Sequence, residues 1–354
     1  MDIDYLIIGQ GISGTFLSYY LLKAGKRVIV IDDAQNNSAS QVASGVINPV
    51  TGRIVATSWM IDELMAFCRT AYTELGQNLK AQLITEKDIV AFPGTQQMHE
   101  AYSKRVHEEN PYVHSIVESA DSYTALFNTL YAPVLIKPVL LIDVQAMLIK
   151  WREQLISQHI LLQKKYDEQH LIHQDDYIEY ESIRAKKIIY CDGVVSLQSR
   201  FWNMLPFSPN KGQALIADIS MLPQAVMYKF GGYSLVPWIG SKWWIGSSYE
   251  NKFDNELPDP VFRQKTGAAL KSILKVPFTI TGHLAAVRPT NVERRPFAGL
   301  HPLYKNIAIL NGMGTKGCSI APFFAKEFAQ FLAHGSPLTA EANVQRFTKV
   351  LSRK

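Results

Sequence analysis

The chain opens on a continuous apolar run, Tyr5-Leu6-Ile7-Ile8, the pattern of a strand buried on both faces. Gly9-Gln10-Gly11-Ile12-Ser13-Gly14 follows at once. Phe16, Leu17, Tyr20, Leu21 and Ala24 then fall at helical spacing, and Gly25 punctuates. Val28-Ile29-Val30-Ile31 is a second buried run, and it ends in Asp32. The pattern predicts strand, glycine turn, helix, strand and acid. Further on, Leu171-Ile172 and the alternating Tyr177-Ile178-Glu179-Tyr180 flank Asp175-Asp176, which predicts a β-hairpin. His170 and His173 fall on its first arm. Positions i and i+3 of a strand point to opposite faces, so no metal site is expected there. After Pro138, the residues Leu140, Leu141, Val144 and Leu148 predict the start of a helix. Phe324, Phe328, Phe331 and Leu332 share one face of a C-terminal helix and read as core.

Composition narrows the class. A chain of 354 residues predicts two domains or one large one. It can bury about 75% of its unfolded surface, so it needs no disulfide or metal staple. With 47% hydrophobic and 19% charged residues, intrinsic disorder is excluded. The net charge of +5 is mild, and the densest basic pairs are Lys164-Lys165, Lys186-Lys187 and Arg294-Arg295. Scattered pairs of this kind read as solvated surface and argue against a nucleic-acid stripe. Cys68, Cys191 and Cys318 lie far apart with no C-x-x-C, which excludes a zinc ribbon and a redox dithiol and fits a reducing compartment. The first apolar run follows Asp2 and Asp4 and is too short for a signal peptide or a membrane span. A cytoplasmic protein is expected.

The glycine turn carries the chemistry. Gly9 permits the tight turn, Gly11 lets the backbone approach a pyrophosphate, and Gly14 lets the helix pack closely on the strand. The free N–H groups around Ile12 and Ser13, with the positive end of the helix dipole, face phosphate. Asp32 would accept hydrogen bonds from adenosine ribose hydroxyls, and its charge disfavours a 2′-phosphate. FAD or NAD is therefore expected rather than NADP. The N-terminal position of the motif, with no second G-x-G-x-x-G after it, favours FAD.

Later blocks bring in a family. Ala43-Ser44-Gly45-Val46-Ile47-Asn48-Pro49, Lys186-Lys187-Ile188-Ile189-Tyr190-Cys191-Asp192-Gly193 and Lys211-Gly212-Gln213 follow in order. Tyr233-Ser234-Leu235-Val236-Pro237, Trp244-Ile245-Gly246-Ser247-Ser248 and Arg288-Pro289-Thr290-Asn291-Val292-Glu293 with Pro296 and Gly299 come next. Gly312-Met313-Gly314-Thr315-Lys316-Gly317 closes the series before a helix. In order and spacing the chain resembles the D-amino-acid oxidase, glycine oxidase and sarcosine oxidase superfamily of flavoproteins, from Asp4 to about Leu332. The stretch from Thr57 to Pro138 matches none of these blocks.

The resemblance implies an α/β fold: a Rossmann-like FAD-binding domain with a second substrate domain built on a mixed or antiparallel sheet. The expected FAD domain is discontinuous, over 1–82, 138–208 and 283–354, with the substrate domain over 83–137 and 209–282. It implies that Ser44, Gly45 and Asn48 pass the diphosphate and flavin ring, that Gly193 lies near the cofactor, and that Gly312, Met313, Gly314, Thr315, Lys316 and Gly317 form the last cofactor turn. A helix N-terminus there would stabilise an anionic reduced flavin. Arg288 is the expected grip on a substrate carboxylate, since a guanidinium binds one with two parallel hydrogen bonds. The competing role for Arg288 is a structural one, holding its loop to Glu293. Tyr233 is the expected substrate-side hydroxyl, or else a packing aromatic. Lys316 would contact the flavin or the substrate, or lie exposed in its loop. Trp238, Trp243 and Trp244 read as packing residues.

Two departures stand out. Sarcosine-type oxidases carry a Lys that assists reaction with oxygen, and Trp244 stands in its place. They also attach flavin through a Cys near the Arg288 position, where this chain has none, so non-covalent FAD is expected. The implied reaction is hydride transfer from the α-carbon of a neutral amine to flavin N5, giving an imine that hydrolyses. Oxygen or another acceptor would take the electrons. The rivals are a flavin enzyme acting on a carboxymethylamino group of a tRNA base, a non-catalytic flavin-binding protein and an NAD-dependent dehydrogenase.

Overall fold

The computed structural model describes residues 1–34, 37–116 and 123–353. The predicted opening unit forms as strand β1 (Asp2–Ile8), helix α1 (Ile12–Lys23) and strand β2 (Val28–Ile31). β1 and β2 pair in parallel, with Leu6 opposite Ile29 and Ile8 opposite Ile31. Every residue of α1 from Ile12 to Leu21 is buried, because the sheet covers one side and other helices the rest.

The chain continues through helix α2 (Ile61–Leu79), strand β3 (Ile89–Phe92), helix α3 (Val144–Ser157), strand β4 (Leu161–Leu162) and strand β5 (Ile183–Tyr190). Leu140–Ile142 is a strand, not the first turn of a helix as the apolar positions suggested. It pairs on both sides, with Val46–Ile47 and with Ile84–Glu86. Asp143 then caps α3, accepting from the Ala146 N–H at 2.9 Å. A short apolar run satisfies either period, and the cap is what sets the helix start.

The remaining elements are strands β6 (Asn210–Asp218), β7 (Met227–Phe230), β8 (Tyr233–Trp238), β9 (Lys242–Gly246), β10 (Thr279–Arg288) and β11 (Ile307–Asn311), and helix α4 (Gly317–His334). In the first sheet β4, β2, β1 and β5 lie side by side in parallel. The end of β5 pairs in parallel with β11, while its start pairs antiparallel with Ile178–Tyr180. That segment and Leu171–His173 form the predicted hairpin. The second sheet runs β10-β6-β9-β8-β7-β3 and ends on two short strands, Val134–Ile136 and Val113–Ser115. It is mixed, because β7 and β3 pair in parallel and the rest antiparallel. β10 stays in this sheet to its end, with Arg288 opposite Asn210, so it runs through the division expected after residue 282.

Alternation along the second sheet separates its faces. Leu215, Leu235, Trp243 and Ile245 join one core, whereas Ala214, Val236 and Trp244 face the first half of the molecule and join another. No helix among the described residues is long and apolar enough to cross a membrane.

Candidate active site

One cleft of about 1130 Å³ lies between the two sheets. It starts at the turn after β1. Gly9 has φ +94°, and a Cβ there would stand 2.7 Å from the Cys191 carbonyl oxygen. A Cβ on Gly14 would stand 1.9 Å from the Gly9 carbonyl oxygen, so the first turn of α1 rests directly on the strand end. Gly14 thus sets the packing and is not itself in the cleft wall, whereas Gly9, Gly11, Ile12 and Ser13 are. The first turn of α1 has no acidic side chain and no cap from Gly11. The Ile12 N–H donates to Ser40 Oγ at 3.0 Å. This end of α1 is suited to an anion.

Asp32 closes β2 at the cleft. Its Oδ2 accepts from the Gln10 N–H at 2.7 Å and its Oδ1 from the Ala34 N–H at 2.8 Å. Arg152 on α3 also donates to Oδ1 at 2.6 Å, and to the Asp32 carbonyl at 3.1 Å. The sequence reading missed Arg152, since nothing local links a helix residue to an acid 120 positions away. The pair fixes the carboxylate and leaves a guanidinium beside it.

The middle of the wall comes from three segments. Ser44, Gly45 and Asn48 line it. Gly45 has φ +81°, and a Cβ would stand 2.0 Å from the Ile142 carbonyl oxygen. Asn48 Oδ1 accepts from the Val50 N–H at 3.0 Å. Gly193 lines the cleft after β5, next to Asp192. Burial pushes the Asp192 carboxyl up to about 7. Its Oδ1 accepts from Ser196 Oγ and, at 3.4 Å, from Asn311 Nδ2. Asn311 also donates to the Gly193 carbonyl at 2.8 Å, tying the end of β11 to this turn.

Gly312, Met313, Gly314, Thr315, Lys316 and Gly317 all line the cleft. Bonds to the segment after β10 tie their turn down: Gly314 N–H to the Pro289 carbonyl at 3.3 Å, and Asn291 Nδ2 to the Gly312 carbonyl at 3.1 Å. Lys316 Nζ donates to Ser58 Oγ at 2.9 Å. Burial, then Arg294 and Arg295, lower the Lys316 pKa. α4 starts here without an acid in its first turn. Pro322 lies inside it and cannot donate to the Cys318 carbonyl. The Tyr72 hydroxyl donates to that carbonyl instead, at 2.8 Å. The proline therefore leaves no orphan acceptor near the site.

Arg288 ends β10 on the cleft wall. Its Nη1 donates to Asn210 Oδ1 at 2.7 Å and to the Ser248 carbonyl at 3.3 Å. The guanidinium lies against Gly212, where a Cβ would stand 1.8 Å from Nη2. Any other residue at Gly212 would displace it. Arg288 makes no ion pair among the described residues, and burial lowers its pKa. The expected alternative partner, Glu293, pairs with Arg346 at 2.9 Å. Tyr233 is a correction. On β8 the cleft side belongs to Ser234 and Val236, so Tyr233 falls on the opposite face. Tyr249, 58% exposed, lines the cleft instead, and the Glu250 carboxylate after it favours the charged form of Arg288. Trp244 is buried and its Nε1 donates to the Val42 carbonyl at 3.0 Å. Trp243 is buried in the other core.

These walls suit a long dinucleotide: an acid for a ribose at Asp32, helix N-termini for negative charge, and glycines where the backbone must stay open. A family model described as DAO, FAD dependent oxidoreductase, matches residues 4–331. Among solved structures, iminodiacetate oxidase from Chelativorans sp. BNC1 is similar at 19% identity, covering 95% of this chain and 96% of that one, with TM-score 0.76. Glycine oxidase from Bacillus cereus ATCC 14579 is similar at 15% identity, covering 99% of each, with TM-score 0.79. L-proline dehydrogenase from P. horikoshii is similar at 14% identity, covering 98% of each, with TM-score 0.77. The family match runs through both glycine turns and the cleft between them, and the chain belongs to the DAO family of FAD-dependent oxidoreductases.

Proposed function

We propose that this FAD-dependent enzyme oxidises a primary or secondary amine bearing a carboxylate, such as an amino acid, to the imine. The observation that carries the reading is Arg288: a buried guanidinium on the cleft wall, with no ion pair among the described residues. A largely buried cation without a direct ion pair is costly, since Glu250 acts on it only at a distance, and a carboxylate arriving from the cleft would offset that cost. Nη1 is held by the protein, which fixes the plane of the group before substrate arrives. Val236 and Trp244 give the floor an apolar surface that excludes water. Bound FAD would supply the two-electron acceptor. The N-termini of α1 and α4 would hold negative charge at their ends of the cleft. No side chain needs to act as acid or base once the amine is neutral, and the imine hydrolyses in water.

Several observations support non-covalent FAD and a cytoplasmic setting. Cys191 and Cys318 line the cleft. Burial raises the Cys191 thiol well above its usual range and the Cys318 thiol to about 12. Both therefore stay protonated at neutral pH and are poor nucleophiles. All three cysteines are free thiols. The tRNA and non-catalytic readings are not favoured. Lys164 pairs with Glu181 and Lys186 with Asp4, while Arg295 lies 4.1 Å over the Trp59 ring. The basic pairs form no stripe.

The purified protein is expected to be yellow and to release FAD on denaturation. Anaerobic mixing with D- and L-amino acids, glycine, N-methyl amino acids and proline should bleach it with at least one carboxylated amine. A flavin that no amine bleaches would reject the reading. The rate of colour return in air separates oxidase from dehydrogenase, and with Trp244 in the lysine's place a slow return is expected.

A further inference from the structure

We propose that Lys229 forms a second anion subsite in the cleft, so that the substrate amine carries a second anionic group besides the carboxylate held at Arg288. The inference rests on the amine-oxidase reading above and deepens it.

Lys229 lies on β7, in the run Met227-Tyr228-Lys229-Phe230, where it is partly buried and the other three residues are buried. Tyr228 and Phe230 join the core behind the second sheet, whereas Met227 joins the core in front. Alternation therefore puts Lys229 on the cleft face, between Ala91 of β3 and Ser234 of β8, and it lines the cleft. Its ammonium group has no hydrogen-bond or ion-pair partner among the described residues. Burial alone lowers its pKa. A strand facing two cores has no structural use for a charge at this position, and an unpaired lysine largely withdrawn from water costs stability.

Arg288 stands on the same face of the same sheet, four strands away, since the order is β10-β6-β9-β8-β7. Lys229 is level with Leu284 of β10, four residues before Arg288, so at about 4.8 Å per strand and about 3.4 Å per residue the two backbones lie about 23 Å apart. Two long cationic side chains thus border one cleft from opposite ends of its floor. The second anionic group would sit at the far end of the substrate, not beside its amine. Lys316, Arg294 and Arg295 add positive field at the same cleft. The composition of the floor fits an extended dianion better than a small neutral side chain.

The test uses the FAD-loaded enzyme and Lys229→Met, which keeps the side-chain length and removes the charge. Lys229→Met should fold normally and melt at a higher temperature. Anaerobic flavin reduction is measured with α-amino acids of increasing chain length, each with and without a terminal carboxylate. At the best length, the terminal carboxylate should raise kcat/KM at least about 30-fold in the unmodified enzyme, the size of one charge-assisted contact. Lys229→Met should erase that advantage and leave the neutral-chain substrates unchanged. Equal rates with and without the terminal carboxylate would overturn the proposal. So would a loss in Lys229→Met that is the same for both series, which would mark a general base. A second readout does not depend on turnover: perturbation of the flavin spectrum by inert dicarboxylates and monocarboxylates. Dicarboxylates should bind tighter, and only in the unmodified enzyme. If no amine bleaches the flavin but this difference is seen, the amine reading fails and the anion subsite stands. Equal binding overturns the subsite.

Discussion

Arg288→Gln should lower kcat/KM for carboxylated amines at least about 100-fold, chiefly through KM, while flavin content stays normal. Two charge-assisted hydrogen bonds are at stake, together about 3 kcal/mol or more. The loss is in binding common to ground state and transition state, so KM carries most of it. Arg288→Lys should recover little. A lysine keeps the charge but cannot reach Asn210 and Ser248 while also presenting a flat fork to substrate. The structural share of the effect is read from the melting temperature. A large drop in stability with unchanged KM would return Arg288 to a purely structural role.

Gly14→Ala should abolish flavin retention and destabilise the fold by about 3 kcal/mol, the upper range for overpacking a tight contact. The new methyl would stand 1.9 Å from the Gly9 carbonyl oxygen, and neither the strand end nor the helix can yield without moving the other. The turn that presents N–H groups to phosphate would move with them. Gly25→Ala is the control. It lies outside the cleft lining at φ +70° with nothing within 4 Å of a Cβ, so only backbone strain of about 1 kcal/mol is expected. Flavin absorbance per protein and urea midpoints check both. Equal flavin content in the two variants would refute the account of the turn.

The opening βαβ unit was legible because both of its strands are buried on both faces. A continuous apolar run has one good explanation when glycines and a helical period follow it. The order of the later blocks was enough to place the cleft, and nearly every expected cofactor residue lines it. Faces were harder. The block around Tyr233 showed a strand, but which side met the cleft depended on Leu235 and Val236, both apolar and both buried. Arg152 was invisible because its partner Asp32 is close only after α3 returns across the sheet. Arg294-Arg295 read as solvated surface, yet Arg295 is half-buried over Trp59. Lys229 did leave a signal: one cation inside an otherwise apolar buried strand. Leu140–Ile142 was ambiguous for a different reason, since three apolar residues fit a strand as well as a helix turn.

The central claim is that the substrate carboxylate is held in place by its grip on Arg288 while the amine is oxidised, and one cycle tests it. Anaerobic flavin reduction is measured with the best amino acid and with its carboxamide, in the unmodified enzyme and in Arg288→Gln. The account predicts that the carboxamide loses at least about 100-fold in the unmodified enzyme and little or nothing further in Arg288→Gln, because both changes remove the same contact. A carboxamide that reacts as fast as the acid, or an Arg288→Gln enzyme that still prefers the acid as strongly, would contradict it.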